Sequence, residues 1–143
     1  MKTNIFKINQ FTHTEWNSAE DKLKFAHQFV LFIESDFLWT KFPKWFYLKL
    51  SNCFSNIAHY NIDGFYDAQF SSLSRRVNFV WNCLDHPCYG DPKFTYSDVE
   101  RVLQNWLKEN NILDKVRAES NKETEISERE QLKRLREKYE KVY

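Results

Sequence analysis

An all-α protein is what this sequence predicts: an irregular four-helix, bundle-like domain with an additional charged amphipathic helix at its C-terminus. Three observations carry that prediction. Glycine and proline are scarce, two and three among 143 residues, too few to punctuate the turns of a β-sandwich or barrel. Apolar residues recur at three- and four-residue spacing over most of the chain, the period of a helix with one buried face. Thirteen Phe, seven Tyr and five Trp bury large areas each, so a chain of this length can close a core with few of them.

Each element follows from its own spacing. Residues 1–13 mix apolar and polar positions without a period and define no element. Ser18 with Asp21 makes an N-cap pair, after which Leu23, Ala26, Val30, Ile33 and Phe37 recur in helical register, predicting a helix over 18–38. Phe25, Phe29 and Phe32 widen its stripe, as expected of a central helix wrapped by others. Pro43 suits the first turn of a second helix, 43–60, whose buried face is Phe46, Leu50, Cys53 or Phe54, and Ile57. Asn61 to Gly64 reads as a turn. A third helix, 66–84, has Tyr66, Phe70, Leu73, Val77, Val80 or Trp81 and Leu84 in register. Residues 85–94 form a polar and aromatic loop with two prolines and a glycine. Ser97 and Glu100 form a capping box for a fourth helix, 98–110. Val99, Val102, Leu103, Trp106 and Leu107 line its inner face, and Asn110-Asn111 stops it.

The composition changes after Leu113, so residues 1–113 read as the helical domain. Residues 114–126 are polar and read as a linker. Ser127 and Glu130 then cap an amphipathic helix over 127–143, with Leu132, Leu135, Tyr139 and Val142 at a/d spacing. Glu130/Arg134 and Glu137/Lys141 stand at i, i+4 on its outer faces.

The composition also excludes function classes. A Rossmann or P-loop site needs clustered glycines that this chain lacks. The formal net charge is +1, and residues 1–113 carry twelve basic and twelve acidic side chains, so no strong field draws in nucleic acid or an anionic membrane. Residues 1–10 lack the apolar core of a signal peptide, and the longest apolar run, Phe29 to Ile33, is far shorter than a membrane span. Three cysteines, an odd number, fit a reducing compartment, so the expected setting is cytoplasmic.

Candidate chemistry is sparse. Cys83, His86 and Cys88 fall within six residues and are legitimate zinc ligands, but their spacing is not a standard one and a fourth donor is missing. If helices two and three are antiparallel neighbours, the 85–94 loop lies near Pro43, and Cys53 is about ten residues up helix two, on the order of 15 Å away. No metal ligand set, cofactor or catalytic residue is therefore assigned. In the same bundle His59 and His86 sit at opposite ends of helix three. His27 is expected mid-helix with its needs met locally. Asp63 and Asp67 read as caps, Asp85 and Asp91 as turn residues. Arg75 and Arg76, with Lys41, Lys44 and Lys49 beside Trp45 or Tyr47, could make a basic patch for single-stranded nucleic acid. The balanced charge does not favour that use.

What remains is interaction. The expected function is a non-enzymatic module, an adaptor, inhibitor or regulatory subunit, that binds a protein partner or self-associates through the C-terminal helix. The alternatives are a nucleic-acid-binding regulator and a small helical enzyme acting through the 85–94 loop. Leu132, Leu135 and Tyr139 form one expected partner-binding surface. The other is one end of the bundle, where Trp39, His86, Cys88, Tyr89, Asp91, Phe94 and Tyr96 are expected to gather. Its competing reading folds Tyr89, Phe94 and Tyr96 inward as a cap on the core.

Overall fold

A helix whose apolar stripe is widened by phenylalanines has to bury much of its surface, and α1 (Ala19–Glu34) buries eight of its sixteen residues. Its Phe25, Ala26, Phe29, Val30, Phe32 and Ile33 are each no more than 5% exposed. This computed structural model describes residues 5–54, 56–57, 60–85 and 91–140. Around α1 it arranges α2 (Lys44–Cys53), α3 (Phe65–Phe70), α4 (Leu73–Asp85), α5 (Ser97–Glu109) and α6 (Ile112–Glu140). The protein is 72% helix, with no strand among the described residues. The core is an aromatic lattice. Phe32 alone packs its ring within 6.4 Å of Phe37, Trp39, Phe42, Phe46, Tyr66 and Phe70, and edge-to-face pairs of this kind add to area burial.

The helix boundaries differ from expectation where local caps intervene. Ser18 caps α1 as its sequence suggests, accepting the Asp21 N–H at 3.1 Å, and His13 Nδ1 accepts the Ala19 N–H at 3.1 Å. The far end stops at Glu34, four residues early. There the Phe37 N–H reaches Phe32 O and the Asp36 N–H reaches Ile33 O, a Schellman turn with the Phe32–Phe37 ring pair as its hydrophobic contact. Asp36 and Phe37 take left-handed φ of 59° and 60°. α2 ends at Cys53 because Phe54 turns extended and buries against Phe29. Its expected inner face of Phe46, Leu50, Cys53, Phe54 and Ile57 is buried throughout.

The expected third helix is two. Ser71-Ser72 interrupts it: the Ser72 hydroxyl accepts the Arg75 N–H opening α4, while Arg75 and Arg76 reach back to the carbonyls of Ala68 and Phe70 closing α3. Periodicity alone runs through such a break, since 70, 73 and 77 keep helical spacing across it. The expected Ser97/Glu100 box does not form either. Tyr96 is the N-cap and makes no side-chain cap bond; Ser97 and Glu100 lie buried inside the first turn. The Asn110-Asn111 stop holds, with Asn111 at φ 52°.

The largest difference is the linker. Residues 114–126 are helical, part of a continuous α6 of 29 residues. Ile112 and Val116 belong to the core, so the boundary expected at 113 falls in the first turn of a helix. Packing against α4 nucleates that helix, which removes the costly step of helix formation. The Glu-, Lys- and Arg-rich sequence beyond it then propagates the helix with no Gly or Pro to stop it. At the other end of the chain, residues 5–17 lie on α1 as an arm with one 3-10 turn, Ile8–Gln10, anchored by buried Phe6 and Phe11.

Candidate partner-binding surfaces

α6 begins as a packed helix and ends as a free one. Its first turns run antiparallel to α4: the Arg117 guanidinium sits over the Trp81 ring, and Ser120 and Asn121 line a groove with Ser74, Val77 and Asn78. Because α4 starts at Leu73, α6 then runs past the end of its support. Every residue from 121 to 139 is exposed, a rod of about 30 Å at 1.5 Å per residue. Leu132, Leu135 and Tyr139 are 50%, 49% and 56% exposed, an apolar stripe that no described residue buries. An i, i+4 ion pair, Glu125–Arg129, stiffens the rod just before it.

The second expected surface is not assembled as expected. The Tyr96 N–H points to Asn52 O, so the segment after the 85–94 loop lies at the C-terminal end of α2. Trp39 instead packs on Phe42, Trp45 and Phe46 near that helix's start. The two groups occupy opposite ends of α2. Tyr96 is fully buried against Phe25, with the ammonium groups of Lys22 and Lys49 over its ring. Asp91 is exposed, and its role is to shape the turn: its carboxylate accepts the Lys93 N–H and its carbonyl accepts the N–H groups of Phe94 and Thr95. Phe94 points outward at 55% exposed and pairs with the equally open Trp16. His59, His86, Cys88, Tyr89, Lys141 and Val142 lie outside the described residues.

Behind that turn sits a buried charge with all its donors used. Lys22 has no exposed surface, and its ammonium donates to Thr12 O at 2.9 Å, Pro92 O at 3.0 Å and the Asp98 carboxylate at 3.0 Å. Asp98 also accepts the Thr12 N–H at 2.8 Å. A buried charge is tolerated when paired and hydrogen-bonded in this way, and the network fixes the N-terminal arm, α1 and the start of α5 to one another. It is structural. Nothing in the sequence marks Lys22 apart from its place inside an apolar stripe.

Trp39 belongs to a different surface, which sequence reasoning missed. It shares a shallow groove of about 310 Å³ with Gln28, Leu31, Phe32, Ser35 and Leu38. Leu31, Leu38 and Trp45 are 46%, 66% and 42% exposed. The Trp39 N–H donates to the Tyr66 hydroxyl, which donates to Phe37 O at 2.6 Å, so the rim is held firmly. Of the two aromatics expected to be exposed beside the basic residues, Trp45 is. Tyr47 is not: it is buried against Phe65, and its hydroxyl donates to the Tyr60 carbonyl.

The remaining candidate groups are committed elsewhere. Arg75 and Arg76 each donate to a carbonyl at the end of α3, and Arg76 also lies over the Phe37 ring. His27 stacks on Phe6 at 5.8 Å. Its Nε2 is buried and has no hydrogen-bond partner among the described residues, contrary to the local satisfaction expected of it, and burial lowers its pKa. Cys53 and Cys83 are buried neighbours, whereas the simplest bundle kept Cys53 far from the 83–88 region. Burial, then the Glu100 carboxylate, pushes both thiols well above their usual range. The Gln104 amide donates to Cys83 O at 2.8 Å beside them. Among the described residues no group of three His, Cys, Asp or Glu side chains is arranged to hold a metal ion. A cleft of about 220 Å³ opens where the ends of α1 and α5 meet the starts of α4 and α6, with Phe37 and Trp106 beside Arg76, Lys115 and Glu119. Among the described residues no helix is long and apolar enough to cross a membrane.

Comparison with models of known protein families, with curated proteins and with solved structures finds no match for this chain.

Proposed function

We propose that this protein is a non-enzymatic interaction module, an adaptor, inhibitor or regulatory subunit, that captures a helical segment of another protein on the outer half of α6. The observation that supports it is the half-exposed stripe of Leu132, Leu135 and Tyr139 on a helix whose residues 121–139 are all exposed. A helix that needs no partner has no use for two leucines and a tyrosine three and four residues apart on an otherwise polar surface. Two turns of apolar stripe are marginal alone, so the rod suits a partner that supplies a matching stripe and orders on binding.

Replacing Leu132 and Leu135 with Glu tests the reading. Both side chains are half in water, so the melting temperature of the double variant should stay within about 2 °C of the parent. Partner capture, measured as specific proteins co-purified with the tagged full chain from its native host, should be lost. An unchanged set of captured proteins would remove α6 from the interface and with it the proposal.

A further inference from the structure

The edges of the α6 stripe are more informative than the stripe. With Leu132, Leu135 and Tyr139 at a and d positions, the flanking e and g positions along the stripe are Arg129, Gln131, Arg136 and Lys138. Three of the four are basic and none is acidic. Glu130 and Glu137 are one position removed from these flanks, on the back of the helix. The macrodipole favours cations in the last turn of a helix, but it is indifferent to which face carries them. Here three cations border the apolar seam; Glu130 and Glu137 stand on the back of the helix with Lys133 and Arg134, and Glu128 continues the line of the seam one turn before Leu132.

That arrangement selects among occupants. A second copy of this chain is a poor one. An antiparallel pair centred on the leucines sets Arg129 against Arg136 and Gln131 against Lys138; a parallel pair sets Gln131 against Arg136, again with no acid to meet the cation. A membrane surface needs a broad apolar face with cations around it, and three side chains on a narrow seam do not make one. Nucleic acid has no use for the leucines. We infer that the outer half of α6 is built for an amphipathic helix with apolar a and d residues and acidic e and g residues, and that charge at the flanks sets the choice of partner. The inference rests on the proposed docking role of α6 and adds the chemistry of the occupant. Charge at e and g positions is a known means of such discrimination, acting as much by repelling wrong partners as by attracting the right one.

The test uses the full chain and two synthetic helical peptides with identical leucine a/d positions, one carrying Glu and the other Lys at e and g. The Glu peptide should bind at least about ten-fold more tightly, and the preference should shrink as salt is raised. The triple variant Arg129→Glu, Arg136→Glu, Lys138→Glu should reverse the preference while the melting temperature holds, since all three side chains are exposed. Equal binding of both peptides would overturn the charge selection and leave docking on α6 intact. Failure of both peptides would sink docking itself. Two further arms use the same protein: vesicles of mixed phosphatidylserine and phosphatidylcholine, and a short DNA duplex. Retention on either in preference to the Glu peptide would overturn the inference in favour of a membrane or nucleic acid. A concentration-dependent dimer in sedimentation, lost with Leu132→Glu, would overturn it in favour of a second copy.

Discussion

Tyr96 shows how far one residue's role can depend on which way a turn closes. Its sequence setting, after a loop with two prolines, suits a rim aromatic as well as a buried one, and nothing local decides between them. The structure buries it, and among the described residues its hydroxyl reaches no hydrogen-bond partner. Burial, and after it the nearby Asp21, Cys53 and Asp98, raises the phenol's pKa to about 12. Because the folded value lies above the usual value of 10, the un-ionised phenol contributes stability in full below pH 10. That contribution is lost as pH climbs through 12. Replacing Tyr96 with Phe keeps the ring on Phe25 and removes an unsatisfied hydroxyl, which typically costs on the order of 1 kcal/mol or more when buried. The variant should melt higher at neutral pH, and its stability should fall less between pH 10 and 12, measured by denaturant midpoints across that range. A drop in stability at neutral pH would mean that the hydroxyl has a partner after all. The same limit on local information applies to Lys22 and Trp39. One is buried because the Thr12 and Pro92 carbonyls and Asp98 happen to converge on it; the other faces a groove because α1 ends early.

Elements were legible where periodicity and propensity agree, and mistaken where a cap or a neighbour overrode them. The inner faces of α1, α2 and α5 could be read directly, since spacing of three and four admits one buried face. The ends could not. A two-residue Ser-Ser break preserves phase, so the α3–α4 junction leaves no trace in the pattern. The Schellman turn after α1 is built on Asp36, which lacks the glycine that usually announces such a stop. That last point gives an element-scale prediction. Asp36 holds a left-handed φ of 59°, which strains a residue with a Cβ and suits glycine. Asp36→Gly should stabilise the protein by about 0.5–1 kcal/mol, read as a shift in urea midpoint with no change in slope. A destabilised variant would show that the Asp36 side chain itself contributes more than the backbone strain costs.

At the scale of the whole molecule, the sequence locates an exposed amphipathic helix but misplaces its root, and the reason is physical. Residues 114–126 are polar all round, which marks a linker only if nothing upstream has already paid the entropy of starting a helix. Here Ile112 and Val116, packed into the core, start it. The result is a body whose order comes from tertiary packing joined to a rod whose order comes from propensity and i, i+4 pairs, and these respond differently to heat. Packed cores of this size melt cooperatively, whereas an exposed helix frays gradually from its free end. The five tryptophans, the last of them Trp106, all precede α6, so fluorescence reports the body alone. Far-UV circular dichroism also counts residues 121–140. On heating, the helical signal should therefore begin to fall well below the sharp fluorescence transition. Ending the chain after Asn121 should make the two curves coincide at an almost unchanged midpoint, because no core residue lies beyond Val116 among those described. Coincident curves in the full chain would mean that the outer half of α6 is packed in solution, most simply against another copy. The midpoint would then rise with protein concentration.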